Sequence, residues 1–230
     1  MTFVAVGSMF QTNKTAIQME FNKVIRGAKR EMNDVESVNA ILEAGFLCHV
    51  AFQHQGQTMM IPTAYGRAAD CLYLHGSTKN FMLNQISDGQ TCCISVTHLD
   101  GIVLAKSLFH TSVNYRSVVL FGKAVLVEDE NERINGMKII TENIVKGRWD
   151  EVKIGDENQL KATMVIKYTI EKASVKIRNE GPLGDDEIKE EVWSGHIPLV
   201  RKALQPIQDS KFGVVLEMSD SVKNYFENNK

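Results

Sequence analysis

At 230 residues and 25.8 kDa, 43% of them hydrophobic, the chain can close a sizeable core as one large domain or two small ones. A formal net charge of −2 and a pI near 6.3 exclude a general pull toward nucleic acid or acidic lipid, so any bound anion must be caught by a local site. Four cysteines, Cys48, Cys71, Cys92 and Cys93, lie in apolar runs without CxxC spacing; this argues against a zinc knuckle or a disulfide framework and reads as buried, reduced thiols.

The opening MTFVAVGSMF has no basic stretch before it and is too short to span a membrane, so a cytoplasmic location is expected by default. On that reading the Asn13-Lys14-Thr15 sequon is chance. The basic cluster at Arg26, Lys29 and Arg30 reads as a solvated face or part of a ligand rim. Asn33 and Glu36 have capping-box spacing, Val35, Val38, Ile41 and Leu42 follow with helical periodicity, and Gly45 marks a stop.

Strand patterns come next. FLCHVAFQ (46–53), TMMIPTAYG (58–66) and CLYLH (71–75), separated by polar turns, predict an antiparallel meander. A helix is expected to open at Ser77 or Thr78 and to carry Met82, Leu83 and Ile86. TCCISVTHL (91–99), Gly101, IVLAKSLFH (102–110) and YRSVVLFGKAVLV (115–127) add β-branched runs at the spacing of a closed or nearly closed sheet. Asp129 and Glu132 begin a further helix with Ile134, Met137, Ile140 and Ile144 on one side. Residues 146–161 read as polar and irregular, 162–177 as a long strand, and an acidic loop through Gly184-Asp185-Asp186 separates that strand from VWSGHIPLV (192–200). The end, 201–230, reads as one or two short surface helices, and no linker or repeat divides the chain.

No GxxxxGK[ST], GxGxxG, GxSxG or HExxH pattern is present, so the usual signatures of nucleotide hydrolysis, Rossmann cofactor binding, esterase chemistry and zinc proteolysis are missing. The seam from His75 to Lys79 stands out. Free N–H groups at a helix start, a Ser or Thr hydroxyl and one ammonium can together hold a phosphate, and Gly76 would let backbone approach closely. An ordinary N-cap by Ser77 or Thr78, with Lys79 in solvent, accounts for the same residues. Tyr115, Arg116 and Ser117 form a second candidate, because a guanidinium fork suits phosphate or carboxylate; an outward-facing strand arginine is the plain alternative. Trp193 is core or ligand platform. The histidines show no close metal-ligand spacing, no metal site is expected, and His75 is read as ordering its turn.

Five motifs in order carry a family resemblance: Pro62-Thr63-Ala64-Tyr65-Gly66, Leu72 to Ser77, Tyr115 to Val119 with Phe121-Gly122, Ser174 to Arg178, and Val192 to Leu199. The chain resembles the flavin-nucleotide-binding branch of the pyridoxamine 5'-phosphate oxidase-like proteins, which includes nitroimidazole-resistance-type reductases. The resemblance implies a mostly β fold with flanking helices, an antiparallel FMN-binding split β-barrel in a single domain over 26–200, with an extension at 1–25 and a helical tail at 201–230. It also implies a homodimer with two flavins at the interface.

In that reading Ser77 and Lys79 hold the FMN phosphate, with His75 and Gly76 in the same turn and Tyr115, Arg116 and Ser117 as candidates from a neighbouring strand. Pro62, Thr63, Ala64 and Tyr65 run along the isoalloxazine edge, and Trp193 reaches the flavin from a partner subunit. A departure lies at Asn80, where relatives often carry a second basic or hydroxyl residue. The function implied is an FMN-dependent oxidoreductase acting on a small molecule, with no catalytic residue assigned. A non-catalytic FMN carrier or redox sensor needs the same seam, and a haem-binding split-barrel protein would need an axial histidine, for which His196 is the candidate. No nucleic acid or membrane partner is expected.

Overall fold

The computed structural model describes the backbone of Glu20–Phe21 and residues 34–184, 191–209, 211, 213–214 and 216–230. The Asn13 sequon, the basic cluster at Arg26, Lys29 and Arg30, Asn33 and the Asp185-Asp186 pair lie outside the described residues. The elements follow in chain order as β1 (Glu20–Phe21), α1 (Val35–Glu43), β2 (Leu47–His54), β3 (Gln57–Ala64), β4 (Gly66–Ala68), β5 (Cys71–Ser77) and α2 (Phe81–Ile86). Then come β6 (Asp88–Leu104), β7 (Ser112–Leu126), α3 (Glu130–Ile144), α4 (Glu157–Lys161), β8 (Thr163–Arg178), β9 (Gly195–Pro198) and α5 (Asp220–Asn229).

One nine-stranded sheet runs in the order β3-β2-β6-β7-β8-β5-β4, with β1 added to β8 and β9 to β6. Every neighbour on that main path is antiparallel. β3 also approaches β5, which curls the sheet toward closure; the strand pattern predicts a nearly closed sheet, and the fold is the antiparallel split barrel that the family resemblance implies. Alternation builds the interior: Cys48, Val50 and Phe52 of β2 point inward with Ile94 and Val96 of β6, Val118 and Leu120 of β7 and Ile166 and Tyr168 of β8. Val38, Ile41 and Leu42 of α1 join the same core, and the Tyr65 hydroxyl donates to the Leu42 carbonyl at 2.6 Å.

Three departures from perfect pairing shape the sheet, the first between Asp88 and Thr91 at the start of β6. TCCISVTHL and the IVL of IVLAKSLFH are not two strands but one, because the chain passes Gly101 through a bulge: Leu99 pairs with Tyr115 and Gly101 with Asn114, leaving Asp100 as the extra residue; residues 105–110, expected to be strand, form the turn before β7. On β8 the extra residue is Glu171, opposite the step from Phe121 to Gly122.

The cap of α1 lies one residue past the expected Asn33, and that of α3 is at the expected Asp129. Asp34 caps α1 by accepting from the Ser37 N–H at 2.6 Å, and Asp129 caps α3 through Glu132 N–H at 2.8 Å. Residues 146–161, expected to be irregular, hold a single 3-10 turn and α4, whose start is a full capping box of Asp156 and Gln159. α3 lies on the outside of β4 and β5, where its Ile140 joins Tyr73, Val165 and Val127 in a second small cluster. At Gly66 an added Cβ would come within 2.5 Å of the Ile140 backbone nitrogen, so glycine is what lets helix and strand meet so closely.

The tail folds back as the single helix α5, held by Glu151. Its carboxylate accepts from the Ser221 N–H and hydroxyl at 2.8 and 2.5 Å and from Arg148 at 3.1 Å. Hydrogen bonds from Ser219 and Ser221 hold the Glu151 pKa down at about 2. A carboxylate lowered in the folded state stabilises above the ordinary carboxylate range, and that contribution is lost as pH falls from there toward 2. Hydrogen exchange should therefore show α5 opening selectively in Glu151→Gln and in the unaltered protein at acid pH; α5 protection in Glu151→Gln equal to that of the unaltered protein at neutral pH would refute the clamp.

The four thiols are free cysteines. Burial pushes Cys48 and Cys92 up to about 12, which keeps them protonated, while Cys93 is only half-buried. No helix among the described residues is long and apolar enough to cross a membrane.

Candidate functional site

The site is a split between two strands. β4 and β5 pair from Ala68–Cys71 to Gly66–Tyr73 and stop. Carried back along the chain, that register would set Ala64 opposite His75 and Pro62 opposite Ser77. The strands part instead, because Tyr65 bonds elsewhere: its N–H donates to the Phe46 carbonyl and its own carbonyl accepts from Asn143 at 2.9 Å. β3 is thereby held on β2 and ends the ladder, so its far edge has no strand partner among the described residues.

Period-two alternation decides which side chains look out. On β5, Leu72 and Leu74 point into the barrel, while Tyr73, His75 and Ser77 share the outer face. α3 covers Tyr73 and leaves His75 and Ser77 exposed. On the other lip Pro62 and Ala64 face outward, opposite His49 and Leu47 of β2, and Thr63 lies opposite inward-facing Cys48. Pro62, which has no N–H to give, sits where an edge strand tolerates it. Pro62 to Ala64 and His75 to Lys79 thus line one crevice from opposite sides.

The seam itself is built differently from the expected helix start. Ser77 ends β5, and α2 begins at Phe81 with Asn80 as its cap, accepting from the Leu83 N–H at 3.0 Å. The N–H groups of Thr78, Lys79 and Asn80 are also taken, by the Ala162 carbonyl, the Ser77 Oγ and the Ser77 carbonyl. Backbone donors are therefore largely spent, and anion binding falls to side chains. Ser77 Oγ accepts at 3.2 Å and keeps its own hydrogen to donate. Lys79 is exposed and its ammonium has no carboxylate partner among the described residues. A hydroxyl and a free ammonium two residues apart fit a phosphate monoester. Gly76 has another role: a Cβ there would meet Leu83 Cδ1 at 3.0 Å, so its smallness serves packing against α2, not approach to a ligand.

Other expected site residues lie elsewhere in the single chain. Tyr65 is 0% exposed, its hydroxyl spent on Leu42 and its phenol pKa raised by burial, so it positions β3 from within the core. β8 separates β5 from β7, and Ser117 pairs with Lys176, thirteen residues beyond the Thr163 that pairs with Ser77. That is about 40 Å measured along extended strand, so one chain does not bring the two sets together. Arg116 is also engaged: it forks onto bulged Asp100 with Nε and one terminal nitrogen each at 2.9 Å, which raises its pKa further. Nothing at sequence level joined these two, sixteen residues apart across a hairpin. Tyr115 pairs between Leu99 and Arg178, and Trp193 is 63% exposed just before β9, at the end of the sheet remote from the split.

A cavity of about 920 Å³ lies under the tail, between Arg148, Ile207, Leu216 and Val222. Polar and apolar residues share its walls, and the cation in them, Arg148, is already taken by Glu151 at 3.1 Å and Ser219 at 3.3 Å, so the split, with Lys79 unpaired among the described residues, is the better candidate. Among the described residues no group of three metal-ligating side chains gathers.

Comparison with known proteins agrees with this architecture. No curated protein matches the sequence. Among solved structures, the flavocytochrome Anf3 from Azotobacter vinelandii is similar with 30% identity and a TM-score of 0.82, over 88% of this chain and 94% of that one. The FAD and haem binding protein from Mycobacterium smegmatis follows at 28% identity and 0.81, over 86% and 97%. A Bacteroides thetaiotaomicron protein assigned to 5-nitroimidazole antibiotic resistance shares the fold, at 20% identity and 0.54 over 64% and 86%. The family model described as pyridoxamine 5'-phosphate oxidase matches residues 34–177, a span from α1 through β8 that includes both lips of the split. With that match covering more than half of its length, this chain belongs to the pyridoxamine 5'-phosphate oxidase family.

Proposed function

We propose that the chain is a flavin-binding redox protein that holds its cofactor in the split. The observation carrying this is the meeting of an unpaired β3 edge, which offers backbone hydrogen bonds to a flat heterocycle, with the Ser77 and Lys79 side chains, which suit its phosphate. The flavin supplies electron or hydride transfer. The chain's residues anchor the phosphate, orient the ring and shape what reaches it. The flavin is FMN in this reading, since one hydroxyl and one ammonium answer a single phosphate; FAD, which the Mycobacterium smegmatis relative binds, would need further contacts beyond the seam.

A homodimer completes the proposal. Tyr115, Arg116, Ser117 and Trp193 are too far from their own seam, and exposed Leu108, Phe109, Val192 and Trp193 crowd the opposite end of the sheet, as a surface meant for a second copy would. Dilution to monomer should then release the flavin, followed by sedimentation and flavin fluorescence together. A monomer that keeps its flavin would overturn the shared site.

A second reading adds haem beside the flavin, favoured by the two relatives that match nearly end to end, a flavocytochrome and an FAD and haem binding protein. The absorption spectrum of protein purified without added cofactor tests both readings. Flavin bands with chromatographic release of FMN support the first, a Soret band the second, and a colourless protein that binds neither added group refutes both. Turnover with an electron donor and acceptor then separates an oxidoreductase from a carrier or redox sensor.

A further inference from the structure

Two exposed features of the chain have no counterpart within it among the described residues. The first is the turn joining β6 to β7, residues 105–111, where Leu108 is 95% exposed and Phe109 88%. The turn is well tied: the Ser107 carbonyl accepts from the His110 N–H and the Thr111 hydroxyl, each at 3.3 Å, and the His110 ring stands edge-on to Phe109 and packs on Gly184. Two large apolar side chains are thereby held out into solvent side by side.

The second is the cavity of about 920 Å³ under the tail. Between β9 and α5 the described tail residues form neither strand nor α-helix, a length of irregular chain that compact domains ordinarily keep for a binding role. It is nonetheless anchored. Arg201 lies over the Phe46 ring at 5.4 Å, the Ala203 N–H donates to the Asn229 carbonyl at 2.6 Å, and the Gln208 side chain reaches both the Val214 carbonyl and the Leu216 N–H. Pro206, Ile207, Val214, Leu216, Met218 and Val222 form the apolar part of the lining. In the polar part Asp209 and Glu217 are acidic, while the charge of Arg148 is already turned to Glu151.

The two features match in size, polarity and charge. The cavity is as large as pockets that enclose whole ligands, ample for a leucine and a phenylalanine side chain together, and its acidic residues complement a turn that carries Lys106 beside its apolar pair. One chain carries them apart. β9 pairs Gly195 with Leu104 and Pro198 with Gly101, so the chain has moved about 10 Å from the turn before Leu199 reaches Asp100 and Arg201 reaches Phe46. We infer that the cavity under the tail is the socket for the Leu108–Phe109 turn of a second copy. This rests on the homodimer reading above and adds the contact that makes it. A two-fold axis seats two turns in two sockets, an isologous arrangement that closes at two chains. Phe109 is its anchor, since an aromatic ring in a desolvated pocket carries a disproportionate share of the binding energy.

The test is sedimentation of the full-length protein over a range of concentrations, followed by directed cross-linking. The unaltered protein should dimerise, and Phe109→Asp, which drives a carboxylate toward Asp209 and Glu217, should weaken dimerisation about thirtyfold or more. Val214→Asp on the socket wall carries the same test should the first variant fail to fold. Chains bearing Phe109→Cys, mixed with chains bearing Leu216→Cys and mildly oxidised, should form a disulfide between the two different chains, assigned by peptide mass spectrometry. A dimer whose dissociation constant is unchanged in both aspartate variants, or the absence of the mixed disulfide, overturns the socket and leaves the homodimer reading standing. A disulfide closed within one chain that carries both cysteines, or an apolar small molecule extracted from a dimer indifferent to Phe109→Asp, names another occupant and overturns it too. An unaltered protein that is monomeric throughout removes the homodimer reading and the socket with it.

Discussion

Gly122→Ala is expected to remove most of the protein's stability. At this position an added Cβ would lie 1.9 Å from the Thr169 carbonyl oxygen and 3.1 Å from both the Thr169 carbonyl carbon and the Tyr168 ring. None of these can yield cheaply. Thr169 is main chain of the central strand β8, at the step where Glu171 bulges out of register, and Tyr168 is fully buried with its hydroxyl on the Cys92 carbonyl at 3.2 Å. Accommodation must break the β7–β8 ladder locally. Overpacking ordinarily costs about 1–3 kcal/mol where side chains can shift; against immovable backbone about 3–5 kcal/mol is expected, from a total of about 5–15 kcal/mol. Gly136→Ala provides the contrast, since its Cβ would first meet the side chains of Tyr73 and Val165 at 2.9 Å and not the main chain of another element; these are buried, so a smaller but real loss is expected. Urea denaturation should rank the two clearly. A Gly122→Ala protein within about 1 kcal/mol of the original would mean the bulge relaxes freely.

The sequence reading and the structure part company where chemistry depends on distance in space. The long runs of β7 and β8 are legible because β-branched residues recur along them, β2, β3 and β5 because short apolar runs are bounded by polar turns, and α3 because Asp129 stands just before its periodic apolar face. Gly101 looked like a strand end, since a bulge and a turn use the same residue type. The helix start at Ser77 was misplaced because Ser and Thr are favoured caps; Asn80 is as good a cap, and Ser77 could not serve while still paired with Thr163. The Pro62 to Ala64 strand and the His75 to Lys79 turn were each legible as motifs, but that they form two lips of one crevice depends on Tyr65 diverting the chain to Phe46 and Asn143. The commitment of Arg116 to Asp100 was beyond sequence for the same reason. His75 had been read as ordering its turn, whereas Ser77 Oγ and Asn80 do that and leave the imidazole free.

Lys79→Ala should weaken flavin binding by about 1.5–3 kcal/mol, the loss of one charge-assisted contact, or roughly 10- to 150-fold in Kd. The fold should be untouched, because the side chain is exposed and its ammonium pairs with no carboxylate among the described residues. Lys79→Arg should retain most of the affinity. The size of the loss also probes the second copy. Within one chain Arg116 stands thirteen β8 residues from the seam and is tied to Asp100, and Lys161, two residues before Thr163, is paired with Glu157 at 2.6 Å. In a dimer a guanidinium from the second copy could approach the same phosphate and share its charge. The penalty of Lys79→Ala should then be smaller than in an Arg116→Ala background, a coupling that a double-mutant cycle on flavin affinity measures directly. Additive losses would confine the phosphate site to Ser77 and Lys79 of one chain, and an unchanged Kd in Lys79→Ala alone would remove the phosphate from this seam.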